Sequence, residues 1–280
     1  MDVEAYLRRI EYDGPRGPTA ATLRNLHRQH LFTVPFENLD IALGTPIWLD
    51  PDALFDKVVI RKRGGFCYEL NGLFHDLLAA LGFRVEMLSA RVRREDGSFS
   101  PEFDHMLLKV LLDEPWLADV GFGDSFLDPL PLRSETAERA TETAEGKSRF
   151  WVHSLNEDWD LIRDDGDKPP VAQYRFTEIP RQLNDFATMC HFHQTSPESH
   201  FTRNRICSKA LPDGRVTISG MRLIVTSDGA RRESVLKEDE LCHCLAEQFG
   251  IEFSQDANWS RLTGWPLPNG LALLRSFNRR

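Results

Sequence analysis

Three features are scarce or missing in this sequence, and each absence excludes a class of protein. It has no apolar run of 18 residues, so we predict no membrane span. Its five cysteines are an odd number without framework spacing, which indicates free thiols in a reducing cytosol. The formal charge of −9 argues against a nucleic-acid partner, because phosphate binding needs a clustered basic surface. The charged start is unlike a secretory signal, so we expect a cytoplasmic protein.

The composition that is present is that of a globular protein with more than one core. The chain has 280 residues, more than one hydrophobic core usually serves. The apolar period is helical up to residue 83 and changes to two beyond it. We therefore predict an α+β fold with four parts: helices over residues 1–83, an antiparallel barrel over 84–190, an irregular linker over 191–210 and an α/β unit over 211–280.

Three helices are predicted in the first part from their caps and their apolar spacing. Thr19 caps a helix that ends at Val34-Pro35, and Asp50-Pro51 opens a second helix over residues 52–60. Leucine and phenylalanine recur at helical spacing over residues 70–81, and Gly82 follows as a stop.

Cys67 lies in the first turn of the third predicted helix. The partial positive charge and the free N–H groups of a helix N-terminus favour a thiolate over a thiol. Cys67 also falls on the apolar stripe of that helix, so a small buried residue that happens to begin a helix is the alternative. The spacing alone leaves both interpretations open.

A hairpin is predicted over residues 105–120. A five-residue connection pairs Val110 with Trp116 and sets Leu107 opposite Asp119, mid-strand. His105 is then the diagonal neighbour of Asp119 on the same face. The alternative makes His105 a strand-edge residue and Asp119 a turn acid, but a carboxylate between apolar neighbours needs a partner.

The other predicted elements are weaker. They are strands near residues 84–92, 150–153, 159–163, 173–176, 215–218 and 222–226, a loop over 133–149, and helices over 183–193 and 238–249.

A thiol, an imidazole and a carboxylate in this chain order recur in thiol enzymes built from a helix packed on a sheet. An unperturbed thiol, with a pKa of about 8.5, is only a few per cent thiolate at neutral pH. His105 would take the proton of Cys67, while Asp119, bonded to the other ring nitrogen, would hold the imidazole tautomer.

Five short segments resemble one enzyme family. RGGFCYELN at residues 63–71 resembles the active-site signature of the arylamine N-acetyltransferases, and so does PFENL at 35–39. HMLL at 105–108 and DVGFG at 119–123 are similar to the histidine and aspartate segments of that family, and residues 196–202 resemble its linker. The resemblance implies a helical bundle, a β-barrel and an α/β lid around a cysteine-protease-like (transglutaminase-like) catalytic core.

The resemblance also implies a reaction. Cys67 would accept an acetyl group from acetyl-CoA as a thioester, and an arylamine, arylhydroxylamine or arylhydrazine would then attack it, with His105 as base and Asp119 as its orienting acid. Acetyl-CoA is a co-substrate in this scheme, and no permanently bound cofactor is expected.

Further roles follow from the resemblance alone. Phe122 and Gly123 fall where the acceptor and the thioester are held. Phe36 and Tyr68 are candidates for an aromatic acceptor wall, although each is also an ordinary core candidate. Glu37 and Arg63 are interpreted as a structural pair beneath the site, since a buried acid needs a cation, and the residues alone leave a surface charge at Glu37 as the alternative.

Three other functions remain open from the sequence. An amide synthase of the same family, acting on a carrier-bound chain, would carry the same motifs, and a papain- or transglutaminase-like hydrolase would use the same residue types. A metal-binding or interaction protein could use the Cys/His clusters at residues 190–193 and 242–244, but these lack the common two-residue ligand spacing, so no metal site is predicted. We expect a monomer or a weak homo-oligomer.

Overall fold

Helices fill the first part of the chain, as the sequence predicts. The computed structural model describes residues 1–132, 141–142, 148–253 and 262. The helices of this part are α1 (Val3–Arg9), α2 (Ala20–Thr33), α3 (Leu39–Leu43), α4 (Pro51–Phe55), which continues as a π-helical turn (Asp56–Ile60), and α5 (Cys67–Ala80), with the two-residue strand β1 (Phe36–Glu37) between α2 and α3.

The helices begin where capping groups satisfy their first N–H groups. The Thr19 hydroxyl accepts from the N–H of Thr22 at 3.2 Å, and the Asp50 carboxylate accepts from the N–H of Ala53 at 3.0 Å. At the start of α5 the Glu69 carboxylate reaches back to the N–H of Phe66 at 3.1 Å. This last bond fixes the turn of backbone that carries Cys67.

An eight-stranded antiparallel sheet follows α5. The strands β5 and β7 lie near opposite ends of this sheet yet contact each other, so seven of the strands form a nearly closed barrel. The α+β fold with a central antiparallel barrel is thereby confirmed. The order is β5-β4-β3-β2-β9-β8-β7-β6, with β2 (Arg84–Val92), β3 (His105–Leu111), β4 (Pro115–Ala118), β5 (Leu130–Pro131), β6 (Thr141–Glu142), β7 (Arg149–Leu155), β8 (Asp158–Asp164) and β9 (Val171–Thr177).

The hairpin register is confirmed up to Ala118. Val110 pairs with Trp116, but β4 ends at Ala118, so the predicted mid-strand pair of Leu107 with Asp119 is wrong. The physical reason is that the N–H of Asp119 donates to His27 Nε2, and not to the neighbouring strand. The backbone therefore leaves the sheet at Asp119, whose side chain belongs to the candidate site.

A second antiparallel sheet pairs a short strand of the helical part with strands from the last part of the described chain. Its order is β1-β10-β11-β12-β13, so the strand from residues 36–37 pairs with one 170 residues later. The later strands are β10 (Ile206–Leu211), β11 (Gly214–Ser219), β12 (Arg222–Ser227) and β13 (Ala230–Val235), and the helices are α6 (Ala187–Thr195), which follows a 3-10 turn (Leu183–Phe186), α7 (His200–Arg203) and α8 (Glu238–Phe249).

The interpretation of residues 191–210 as an irregular linker is wrong from Ile206 to Ala210, because a strand, β10, begins at Ile206. This strand pairs with both β1 and β11. The partner that completes the strand is remote in the chain, so no local period signals it. The predicted loop over 133–149 lies mostly outside the described residues, as does the unit over 211–280 beyond residue 253, apart from Leu262. No helix in the described ranges is long and apolar enough to cross a membrane.

Candidate active site

Cys67 is the first residue of α5 and is only 3% exposed. Burial raises the pKa of its thiol well above the ordinary value, since a thiolate is poorly solvated there. A hydrogen bond from the main-chain N–H of Met106 lowers that pKa, while the carboxylates of Asp104 and Asp119 raise it. A nucleophilic role for this thiol therefore requires a base that takes its proton.

His105 and Asp119 are in direct contact, as the hairpin pattern indicates. His105 Nε2 lies 2.7 Å from Asp119 Oδ2, and both residues are buried. Burial raises the pKa of Asp119, but the neighbouring His105 and the hydrogen bonds from Asn71 and Gly121 lower it more, so the net pKa is below the usual value. Asp119 is therefore an ionised acceptor that fixes one ring nitrogen of His105 and leaves Nδ1 available.

Asn71 joins the helix of Cys67 to the strands of His105 and Asp119. Its Nδ2 donates to the carbonyl oxygen of Met106 at 2.6 Å and to Asp119 Oδ1 at 2.9 Å, and its Oδ1 accepts from the N–H of Val120 at 3.0 Å. The sequence analysis missed this role, although a signal existed: Asn71 lies one helical turn after Cys67, on the same face.

The loop after Asp119 lies directly against Cys67. A Cβ on Gly121 would be 2.8 Å from the Cα of Cys67 and 2.7 Å from Asn71 Nδ2, closer than real contacts allow. The pattern DVGFG thus contains a glycine because the chain passes against the start of α5 at that point.

Two further groups of the site are remote in sequence. The Tyr174 hydroxyl on β9 donates to Asp119 Oδ2 at 3.0 Å. His27 on α2 accepts from the N–H of Asp119 at 3.1 Å, while its Nδ1 bonds the carbonyl oxygen of Leu127 at 2.7 Å. Burial lowers the pKa of His27, so it stays neutral and serves as an acceptor. Nothing in the local sequence marks either residue.

The aromatic candidates separate into two groups. The Phe122 ring lies edge-on to His105 with a centroid distance of 5.0 Å, and Gly123, with φ +90°, lies against the ring of Phe36. Tyr68 instead packs in the core against Phe186, and its hydroxyl donates to the carbonyl oxygen of Phe103 at 2.7 Å. The structure therefore gathers Phe36, Phe122 and Gly123 into one region and uses the hydroxyl of Tyr68 for a main-chain bond.

Glu37 and Arg63 belong to a chain of buried ion pairs beneath α5. Arg63 bonds Glu37 at 2.7 Å and Asp40 at 2.9 Å. Lys57 continues the chain, bonding Asp40 at 2.8 Å and Glu69 at 2.7 Å. Because Glu69 also accepts from the N–H of Phe66, the residue before Cys67, the chain of charges ends at the start of α5. Removal of one member of such a buried set costs about 3–5 kcal/mol.

We expect Glu69→Gln to flatten the pH dependence of stability between pH 5 and 8. Burial raises the pKa of Glu69 to about 7, against the lowering effect of Lys57, and its ordinary value is 4.5. The folded chain thus binds a proton that the unfolded chain has released, so the free energy of unfolding falls as pH rises through this window. Thermal unfolding at intervals of pH measures the slope.

The exposed Glu4 on α1 provides the matched control. Glu4→Gln removes a carboxyl whose pKa lies below the window, so its melting temperatures are expected to run parallel to those of the unsubstituted chain. Parallel curves for Glu69→Gln as well would contradict the raised pKa.

The Cys/His clusters do not form a metal site in the part of the chain that the structure describes. Among those residues, no group of three or more His, Cys, Asp or Glu side chains is placed to hold a metal ion. Cys190 contacts Gln194, and His193 lies between Asp104 at 3.2 Å and Ser199 at 3.2 Å. On α8, His243 pairs with Glu247, one turn further on.

Comparison with known proteins identifies a family whose members are similar to this chain. The model of the N-acetyltransferase family matches residues 19–258. The arylamine N-acetyltransferase of Escherichia coli K12 is 34% identical over 88% of this chain and 87% of its own length. An arylamine N-acetyltransferase / N-hydroxyarylamine O-acetyltransferase of Salmonella typhimurium is 34% identical over 89% of this chain and 88% of its own. The structure of Mycobacterium marinum arylamine N-acetyltransferase in complex with CoA superposes with a TM-score of 0.84 at 32% identity, covering 94% of this chain and 97% of that one.

Proposed function

This chain belongs to the arylamine N-acetyltransferase family, and we propose that it transfers an acetyl group from acetyl-CoA to the nitrogen of an arylamine, arylhydroxylamine or arylhydrazine through a thioester on Cys67. The family makes it an acyltransferase. The covalent intermediate, the two-step order and the residue roles are our proposal.

In the first half of the cycle, His105 Nδ1 takes the proton of the Cys67 thiol. The sulfur attacks the carbonyl carbon of acetyl-CoA, the bond to the CoA sulfur breaks, and the departing thiolate takes the proton from His105. Asp119 stabilises the imidazolium that exists in between, because its carboxylate lies 2.7 Å from Nε2.

In the second half, the nitrogen of an arylamine, arylhydroxylamine or arylhydrazine attacks the thioester. His105 takes a proton from that nitrogen, the bond to Cys67 breaks, and the sulfur recovers its proton. The edge-on packing of Phe122 against His105 places an aromatic surface beside the base, which suits a flat acceptor. We propose Phe36 and Gly123 as its neighbours and Glu37 and Arg63 as structural support.

The observation that carries the proposal is the Asn71 bridge. Its side chain bonds both Asp119 and the main chain of Met106 from the helix that presents Cys67. One side chain on the helix of Cys67 thereby bonds Asp119 and the residue next to His105, which supports the roles proposed for these three residues.

We expect the intact mass of the chain to rise by one acetyl group after incubation with acetyl-CoA alone, and to return after an arylamine is added. A chain that turns over both substrates without ever gaining this mass would contradict the thioester.

The group that accepts the acetyl distinguishes the proposed acetyl transfer from two alternative functions. An amide synthase for a carrier-bound chain should show little turnover with a simple hydrazide and acetyl-CoA. A papain- or transglutaminase-like hydrolase should lose the acetyl group to water as fast as to an amine. Efficient transfer to the hydrazide, with slow loss to water, supports acetyl transfer.

The wider organisation belongs to the same proposal. We propose that residues 1–83 form a helical bundle around a cysteine-protease-like core, that 84–190 carry the base and the acid, and that 211–280 act as a lid. Acetyl-CoA is a passing co-substrate in this scheme. Cytoplasmic location and a monomeric or weakly associated state stay predictions.

A further inference from the structure

The loop from Asp119 to Asp124 is held firmly at its beginning. Asp119 Oδ1 accepts from Asn71 and from the N–H of Gly121 at 3.0 Å, and Gly121 lies against Cys67. The next residue, Phe122, packs on the His105 ring. The course of this short loop therefore sets where the base and its aromatic neighbour stand.

The other end of the loop is held by Arg215, a buried residue of β11. Its Nη1 donates to the carbonyl oxygen of Gly123 at 2.7 Å and to Ser208 Oγ at 3.2 Å. Its Nε lies 3.2 Å from Asp124 Oδ1, and Arg163 Nη1, on β8 of the barrel, lies 3.1 Å from Asp124 Oδ2. The second sheet and the barrel thus meet on this loop.

We infer that Arg215 is a positioning residue for the acetyl transfer proposed above, on which this inference rests. The guanidinium contacts the Gly123 carbonyl and Asp124 together, and it acts on His105 through Phe122. Gly123 has φ +90°, a conformation that a glycine leaves easily when nothing holds its carbonyl. A lysine restores the charge, but its donors sit on a single nitrogen and cannot reproduce the planar fork.

The test uses Arg215→Gln and follows acetyl-enzyme formation by rapid quench and intact mass. The rate constant is expected to fall by about 10- to 100-fold, the size of effect that small misplacements of reacting groups produce. The final adduct stays at one acetyl group per chain. Arg215→Lys is expected to recover part of the rate. Loss of fold alone would reduce the amount of adduct and leave the rate of the remaining molecules unchanged.

Arg222 on β12 is the matched control, because it is an exposed arginine on the neighbouring strand. Arg222→Gln should acylate at the rate of the unsubstituted chain. Where Arg215→Gln does not fold, Asp124→Asn takes its place and is expected to show the same loss of rate. Normal acylation by these variants, or loss of amount without loss of rate, overturns the role of Arg215. An unsubstituted chain that forms no adduct instead overturns the proposed function, and this inference falls with it.

Discussion

Cys67→Ala is expected to form no acetyl adduct and to lose acetyl transfer by about 10⁴-fold or more, since loss of a covalent nucleophile ranks among the largest single effects in enzymes. The side chain is small and buried at the start of α5, so alanine fits the space. His105, Asp119 and Asn71 keep their mutual bonds in this variant. Steady-state transfer to an arylamine and intact mass after acetyl-CoA measure the two losses.

Cys190 is the control for a general loss of buried thiols. It is also a buried cysteine on a helix, and burial raises its pKa to about 12. Its sulfur accepts a hydrogen bond from the Gln194 amide, so Cys190→Ala is expected to keep the adduct. An adduct that persists in Cys67→Ala and disappears in Cys190→Ala would place the nucleophile on α6 and contradict the role of Cys67.

The sequence predicts the residues that meet in this site better than the residues that hold them in place. Cys67 is marked by a local pattern, since it falls in the first turn of a helix and on the apolar stripe of that helix. His105 and Asp119 are marked by the alternation of a hairpin, whose register is confirmed at Val110 and Trp116. These signals are local, and each one limits where a side chain points.

The residues that hold the site in place make contacts between distant parts of the chain. Tyr174 and His27 reach Asp119 from β9 and α2, and neither lies in a segment whose period differs from ordinary core. The strand β1 has two residues, too few for any alternation, and its partner β10 comes 170 residues later. A pattern read along the chain cannot report such pairings, because the free energy that fixes them comes from packing in three dimensions.

Asp119→Asn is expected to lower the rate of acetyl transfer on the order of 10³-fold or more, as is typical when the acid that orients a catalytic imidazole becomes an amide. The carboxylate receives donors from His105, Asn71, Tyr174 and the N–H of Gly121. An asparagine offers one oxygen to these donors and turns its NH₂ group toward the rest. The imidazolium also loses the charge that stabilises it, and single-turnover acylation by acetyl-CoA measures the loss.

Asp119→Asn is also expected to change how the stability of the fold depends on pH. Burial works against the charge of Asp119, but its partners hold the pKa below the ordinary value. A carboxyl with a lowered pKa stabilises the fold fully above its unfolded pKa, and this stabilisation is lost as pH falls through the folded value. The difference in melting temperature between Asp119→Asn and the unsubstituted chain is therefore expected to be large at pH 7 and to shrink in acid.

Tyr174→Phe removes one donor and keeps the charge, so it should retain most of the rate. An equal loss of rate in Tyr174→Phe would mean that the position of the loop, and not the charge of Asp119, governs His105.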